Sequence, residues 1–348
     1  MSKFFLEKYS TLDAYVPGEQ PQDRKYLKLN TNESPYPPSL KVLDAAFKEA
    51  SRLNLYSDPE SKALTDALAS SFGVGPENVL VTNGSDEALN FAFMAFCDSI
   101  VFPAVTYGFY PVIANLNGIP YREIPMTSDF RINVDDYIGI SDNIVIANPN
   151  APTGICLSVS DIERIVAGNP DNIVIIDEAY VDFGAESVVP LTKKYDNLIV
   201  TQTFSKSRSL AGARLGFAIA SEELINDMKT IKDSMNPYNV NRMTMAAGMA
   251  ALADSEYYIA NCREIEETRV YTVYALEDMG FEILPSKANF VFAKNPKISG
   301  GELYRKLKDA GVLVRYFDKP GLTEFVRITI GTRSQMDTLI EKISEVLS

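Results

Sequence analysis

Short, almost uninterrupted apolar runs recur through the middle of this chain, separated by stretches of helical periodicity, and that alternation limits the folds open to it. The runs fall at 78–82, 100–102, 144–147, 173–176, 198–201 and 215–220, with helix-like segments at 85–97, 158–166 and 222–235 between several of them. A strand that is apolar on both sides must be covered on both faces, so the pattern predicts an α/β fold with a largely parallel sheet between layers of helices. The last third changes character. Helical stretches at 241–253 and 255–279 lead to a strand at 289–293, a helix at 301–310, strands at 312–315 and 325–330, and a final helix. This predicts a second, smaller α+β unit. The opening segment is rich in turn formers (Val16-Pro-Gly, Ser34-Pro-Tyr-Pro-Pro) and reads as an extended arm that packs on the small unit or closes a site. The expected division is an arm over 1–38, a large unit over 39–240 and a small unit over 241–348. A chain of 348 residues has room for it.

Composition excludes whole classes of chemistry. There is no histidine, so Ser-His-Asp triads, Cys-His pairs and HExxH zinc sites are ruled out together. The three cysteines, Cys97, Cys156 and Cys262, stand 59 and 106 residues apart, which fits no CxxC metal or redox site. An odd, sparse count suits a reducing compartment. Thirty-three basic against 46 acidic residues give a net charge of −13, which argues against nucleic acid or an anionic membrane as partner. A small anionic substrate then requires locally clustered Arg or Lys. No run approaches the roughly 18 apolar residues of a spanning helix. Residues 1–9, interrupted by Glu7 and Lys8, read as neither signal peptide nor anchor, so a soluble cytoplasmic protein is expected.

In open α/β sheets ligands bind outside the carboxyl ends of the strands, so the residues just past each run are the candidates. Thr82-Asn-Gly-Ser-Asp-Glu87 opens a helix, whose free N–H groups and positive dipole end suit a phosphate. Asp86 and Glu87 would repel that phosphate unless turned away with a cation nearby, and they serve equally well as plain stabilisers of the helix start. Asp177, ending the run at 173–176, is placed to meet a cationic ligand nitrogen, or simply to form a turn. Lys206 follows the next strand among small and hydroxylated residues. A partly desolvated amine there is a nucleophile for carbonyls, whereas a solvated lysine is not. Asn148-Pro-Asn-Ala-Pro-Thr-Gly154 makes a rigid turn able to hold an amide against a ligand. No GxGxxG or GxxxxGK[ST] phosphate loop occurs, which disfavours a nucleotide-dependent oxidoreductase.

Taken together, the order and spacing of these segments say more than any one of them. PNxPTG, then D-x-A-Y with Asp177 27 residues after Asn150, then Ser205-Lys206 and Arg214 resemble the fold-type I pyridoxal-phosphate aminotransferases over nearly the whole chain. Asp13-Ala-Tyr15-Val-Pro-Gly18, Leu29-Asn-Thr-Asn-Glu33-Ser-Pro-Tyr-Pro-Pro38, Asn236-Pro-Tyr-Asn-Val-Asn241 and Val326-Arg327-Ile-Thr-Ile-Gly-Thr332 are similar to segments of the histidinol-phosphate aminotransferases within that family.

The resemblance implies a homodimer with a seven-stranded, mostly parallel sheet in its large domain, using pyridoxal 5'-phosphate. Lys206 would carry the cofactor through its aldehyde and then move the proton between substrate and cofactor. This supplies the acid–base group that the absent histidines cannot. Asp177 would pair with the pyridine nitrogen, Tyr180 and an Asn of the PNxPTG turn with the phenolic oxygen, and Tyr107 would stack on the ring. The phosphate would lie on the amides of Ser85 and Asp86, on Ser205 and Arg214, and on Tyr56 from the partner subunit. Arg327, with Arg315, Tyr15 and Asn32, would bind the anionic end of histidinol phosphate and of glutamate in turn, since a guanidinium fork suits both anions. One departure stands out. The family usually reads PNNPTG, with its cofactor-binding Asn at the position of Ala151, so either Asn150 takes that role or one hydrogen bond is missing. The motifs leave open a threonine-phosphate decarboxylase, a broad aromatic aminotransferase, and a catalytically silent protein that keeps the fold. Retention of Lys206, Asp177 and Arg214 together speaks against the last.

Overall fold

A computed structural model describing residues 2–348 places seven strands in one sheet, in the order Val79–Thr82, Gly216–Ile219, Leu198–Thr203, Val174–Asp177, Asn143–Ala147, Ile100–Pro103 and Tyr121–Ile124. Gly216–Ile219 runs against both of its neighbours and the other six strands are parallel to one another. Alternation divides the strand side chains between two apolar cores. Ile144, Ile146, Val174, Ile176 and Val200 face one core, and Val145, Ile175 and Ile199 face the other. Helices Lys62–Phe72 and Val159–Ala167 cover the first core, while Ser85–Phe96, Tyr110–Asn117 and Glu222–Met235 cover the second. Val159–Ala167 shows the local logic. Ser158 caps it by accepting the Asp161 N–H, Ile162, Ile165 and Val166 supply the apolar stripe, and Gly168 ends it.

A separate four-stranded antiparallel sheet has the order Arg315–Tyr316, Phe325–Thr329, Phe290–Lys294 and Glu282–Ile283. Its core joins Phe290, Val326 and Ile328 to Leu303, Leu307, Met336 and Leu339 of helices Gly300–Asp309 and Arg333–Leu347. The amino-terminal arm is tied to this sheet. Leu27–Lys28 pairs in parallel with Val312–Leu313, and Leu29 accepts a backbone hydrogen bond from Thr329. Helix Arg242–Ala253, read from sequence as the start of the small unit, packs Ala247 and Ala251 into a core of the large sheet. Among the described residues no helix is long and apolar enough to cross a membrane.

One glycine fixes where the large sheet meets a helix start. A Cβ on Gly216 would lie 2.3 Å from the Ser85 nitrogen and 2.4 Å from the Gly84 carbonyl carbon, both backbone atoms that cannot swing aside. Gly216→Ala is therefore expected to destabilise the protein by about 1–3 kcal/mol, the usual cost of overpacking. Thermal melts of the two proteins check this, and an unchanged melting temperature would refute the tight approach.

Candidate active site

The strand ends bring the expected residues to one side of the large sheet. Asp177 terminates the central strand Val174–Asp177 and is buried. Its carboxylate accepts from the Tyr110 hydroxyl at 3.0 Å and from Thr201 Oγ1 at 3.3 Å, and it forms no ion pair among the described residues. Burial, only partly countered by these donors, pushes its pKa up to about 6. The sequence reading did not find Tyr110 or Thr201. Thr201 is detectable only from register, because it stands directly opposite Asp177 on the next strand.

Lys206 follows strand Leu198–Thr203. Its Nζ donates to the Thr31 carbonyl of the arm at 3.1 Å and stands 5.7 Å from the centroid of the Tyr180 ring. Phe290 meets that ring edge-on at 5.0 Å. The Tyr180 hydroxyl accepts from Asn32 Nδ2 at 2.9 Å and has no acceptor for its own proton among the described residues. Asn32, expected at the substrate, is buried with its side chain engaged by Tyr180 and Thr329.

At the start of helix Ser85–Phe96 the two acids behave differently. Glu87 folds back to accept from the Asn83 N–H and from Asn239, each at 2.6 Å. Asp86 instead accepts from the Tyr107 hydroxyl at 3.1 Å and lies 3.5 Å from Arg214, so only Glu87 is turned away as expected. Arg214 also reaches Ser205 Oγ at 3.4 Å. A hydroxyl, a guanidinium and an open helix N-terminus thus converge, the donor set that a phosphate requires. Gly84 keeps the cradle open, since its φ is +81° and a Cβ there would lie 2.7 Å from an Arg214 nitrogen.

Asn150 corrects an expectation. Its two amide protons go to the Val105 carbonyl at 3.0 Å and Thr153 Oγ1 at 2.9 Å, and its oxygen accepts from Thr106 at 3.0 Å. With one proton held by Thr153 of the turn and the other by the Val105 carbonyl of a separate segment, Asn150 has no free donor to replace the amide absent at Ala151.

Arg327 lies on strand Phe325–Thr329, on the same face as Thr329 and flanked by the core residues Val326 and Ile328. Its guanidinium stands 5.2 Å from the Phe290 ring centroid and 5.5 Å from that of Phe317, with one hydrogen bond to the Asn30 carbonyl at 3.2 Å. Its Nε is buried without a partner, and burial lowers its pKa from the ordinary arginine value. Arg315 stacks on Phe317 as well, at 5.5 Å, and donates to the carbonyls of Val16 and Pro17. Neither arginine forms an ion pair among the described residues. Tyr15 joins the group edge-on to Phe109 at 5.4 Å and to Tyr107 at 6.2 Å, with its phenol pKa raised by burial. Tyr56 is not part of this cluster. It is 79% exposed and stacks on Tyr238 at 4.5 Å.

Comparison with known proteins finds relatives over the whole chain. Histidinol-phosphate aminotransferase of Brachyspira hyodysenteriae is 47% identical over 352 aligned positions, covering 100% of this chain and 99% of that protein. Histidinol-phosphate aminotransferase 1 of Bradyrhizobium diazoefficiens is also 47% identical, with both chains fully covered. The crystal structure of histidinol-phosphate aminotransferase from Sinorhizobium meliloti in complex with pyridoxal-5'-phosphate superimposes with a TM-score of 0.88 at 25% identity, over 100% of this chain and 98% of that one. L-threonine-O-3-phosphate decarboxylase of Porphyromonas gingivalis, at 22% identity and a TM-score of 0.79 over 92% of this chain and 99% of its own, shares the fold alone. The family model for aminotransferase class I and II matches residues 24–343, and this chain belongs to that family.

Proposed function

We propose that the protein uses pyridoxal 5'-phosphate to exchange an amino group between glutamate and imidazole-acetol phosphate, forming histidinol phosphate for histidine biosynthesis. The names of relatives at 45–47% identity over essentially the full chain support this reading. The observation that carries it is Arg327, a half-buried guanidinium with no carboxylate partner and a buried, unpaired Nε, joined through the Phe290 ring to Tyr180 and so to Lys206. A partly desolvated cation with no counter-ion is a site for an anionic substrate group.

The residues present fit the cofactor. Asp177 is a buried carboxylate lacking a cation, the Tyr180 hydroxyl is a donor lacking an acceptor, and Ser205 and Arg214 face an open helix start. Bound there, the cofactor supplies an aldehyde that captures the amino group and a ring that draws off the electrons left when the substrate carbon loses its proton. Lys206 would hold the aldehyde and could move a proton at the substrate carbon. Asp177 would keep the pyridine nitrogen protonated, Tyr107 would pack on the ring, and the Ser85 and Asp86 amides would join Ser205 and Arg214 in holding the phosphate. Arg327 and Arg315 grip the phosphate of one substrate and a carboxylate of the other, with Tyr15 closing over them.

The reading includes a cytoplasmic homodimer. Leu40 at 83% and Phe47 at 78% exposure project from helix Leu40–Ala50, and Leu53, Leu55 and Tyr56 continue the apolar surface. A second copy seated there would bring Tyr56 of the partner subunit toward the phosphate site. All three cysteines are free, as suits a reducing compartment. The proposed division keeps the arm at 1–38, the large unit at 39–240 and the small unit at 241–348, with helix Arg242–Ala253 seated on the large unit.

A single-turnover spectral titration tests the reaction. Histidinol phosphate is expected to convert the pyridoxal form to the pyridoxamine form, with 2-oxoglutarate reversing it. Release of carbon dioxide from threonine phosphate would overturn the reading in favour of a decarboxylase. Lys206→Ala is expected to abolish turnover, and wild-type rates in that variant would exclude the mechanism. Arg327→Lys keeps the charge but loses the fork. It is expected to raise KM for both substrates by about 10–100-fold with a smaller change in kcat, because a paired charged hydrogen bond contributes about 1.5–3 kcal/mol.

Asp177 gives a stability test. In the cofactor-free protein its pKa is about 6 when folded against a model value of 3.8, so the unfolded chain ionises first and stability falls as pH rises between those values. Above that window the cost is on the order of 2–3 kcal/mol. Asp177→Asn without cofactor is expected to melt above the cofactor-free parent at pH 8, to lose that advantage near pH 4, and to bind the cofactor more weakly. Equal melting at both pH values would contradict an uncompensated buried charge.

A further inference from the structure

We propose that Asn32 is a positioning residue. It aims the proton of Tyr180 at the phenolic oxygen of the cofactor, and so offsets through Tyr180 the amide that Ala151 lacks. The proposal rests on the cofactor assignment made above.

The geometry forms a closed chain of donors and acceptors. The Asn32 backbone N–H donates to Thr329 Oγ1 at 3.0 Å, and the Thr329 hydroxyl donates to Asn32 Oδ1 at 3.1 Å. Both residues are buried. Reversing the Asn32 amide would leave the Thr329 proton without an acceptor, so the hydrogen-bond network fixes the amide with Nδ2 outward. That nitrogen donates to the Tyr180 oxygen at 2.9 Å. The Asn32 backbone is held as well, with its carbonyl accepting from Asn289 at 2.9 Å. Its φ of 57° lies in the left-handed region, which Asn and Asp tolerate better than most residues.

A phenol has one proton, which prefers the plane of the ring. With Asn32 donating from one side, the Tyr180 proton must point to the other, where the described residues provide no acceptor. The Phe290 edge contact holds the ring plane. Asn150 cannot share the task, because its protons are held by Val105 and Thr153. Tyr180 is therefore the one side chain of this group left with a proton to give.

The visible absorption band of the cofactor-loaded enzyme changes with pH, and its midpoint reads the donor. A hydrogen bond to the phenolic oxygen withdraws negative charge from the group joined to Lys206, so losing it raises the midpoint. Tyr180→Phe is expected to raise it by about one pH unit or more. Asn32→Asp preserves the shape and the left-handed backbone but presents an acceptor to Tyr180, turning the proton away. It should raise the midpoint comparably and weaken cofactor binding by about tenfold, the equivalent of one pKa unit. The added charge also acts directly, and the double variant isolates that effect. Loss of most of the Asn32→Asp shift in the Tyr180→Phe background supports the proposal, and an equal shift in both backgrounds overturns it. Thr329→Val frees the amide to flip and should move the midpoint in the same direction, while Thr329→Ser, which retains the hydroxyl, should restore the parent value. No movement with Thr329→Val overturns the closed chain even if Asn32→Asp folds poorly. If Tyr180→Phe leaves the midpoint unchanged, the cofactor contact of Tyr180 itself is wrong and the proposal falls with it.

Discussion

Two charges of opposite sign that face the proposed site lack counter-ions among the described residues: the buried carboxylate of Asp177 on the large sheet and the half-buried guanidinium of Arg327 on the small one. Isolated, each destabilises the folded state, because hydration is lost and nothing of opposite charge replaces it. The apolar cores on both faces of the large sheet and around the small sheet stabilise the protein enough to tolerate them. The groups in direct contact with each charge are neutral. Tyr110 and Thr201 attend the carboxylate, while two aromatic faces and one carbonyl attend the guanidinium. Under the proposed reading, a ligand assembly with a cationic ring nitrogen and an anionic group would supply both missing partners.

The arm links the two sheets. One short stretch carries the Leu29 carbonyl that accepts from Thr329, the Thr31 carbonyl that accepts from Lys206, and the Asn32 amide on Tyr180. Farther out, Arg315 holds the carbonyls of Val16 and Pro17, and Tyr15 packs on Phe109. An anion taken by Arg315 and Arg327 therefore competes with, or reinforces, the contacts that hold the arm. Under the proposed reading, substrate binding draws on guanidinium groups that also hold the arm.

Much of the fold is legible in the sequence because buried parallel strands are apolar throughout, and six of the seven large-sheet strands carry that pattern. The missing one, Tyr121–Ile124, is an edge strand with three exposed residues, so its sequence has no apolar run to detect. Helix Leu40–Ala50 is absent from the sequence reading although Leu40, Leu43 and Phe47 recur at helical spacing, and the stripe they form is exposed. Leu40 and Phe47 point outward and only Val42 is buried. The predicted strand at 312–315 is two pieces, with Val312–Leu313 pairing with the arm and Arg315–Tyr316 with Phe325–Thr329. Periodicity reports how apolar a strand is, and pairing partners lie outside its reach. The same limit applies at the site. Lys206, Asp177 and Arg214 stand where the strand ends place them, whereas Tyr110, Thr201 and Thr329 enter through contacts between distant segments.

Asn150 and Asn32 show why residue type at a motif position is not enough. Both are buried asparagines in turn-rich segments, and sequence alone suggested that each would face a ligand. Counting protons separates them. Asn150 places one amide proton on Thr153 of its own turn and the other on the Val105 carbonyl past the neighbouring strand, so it ties the loop in place and leaves no proton over. Asn32 has its oxygen fixed by Thr329 and directs a proton at Tyr180, whose own proton is left over. A donor that the protein does not use is the part of a network that a ligand can read. On that criterion, and under the proposed cofactor assignment, Ala151 would leave the cofactor's ring oxygen to a single phenol and make the groups that orient that phenol part of the site.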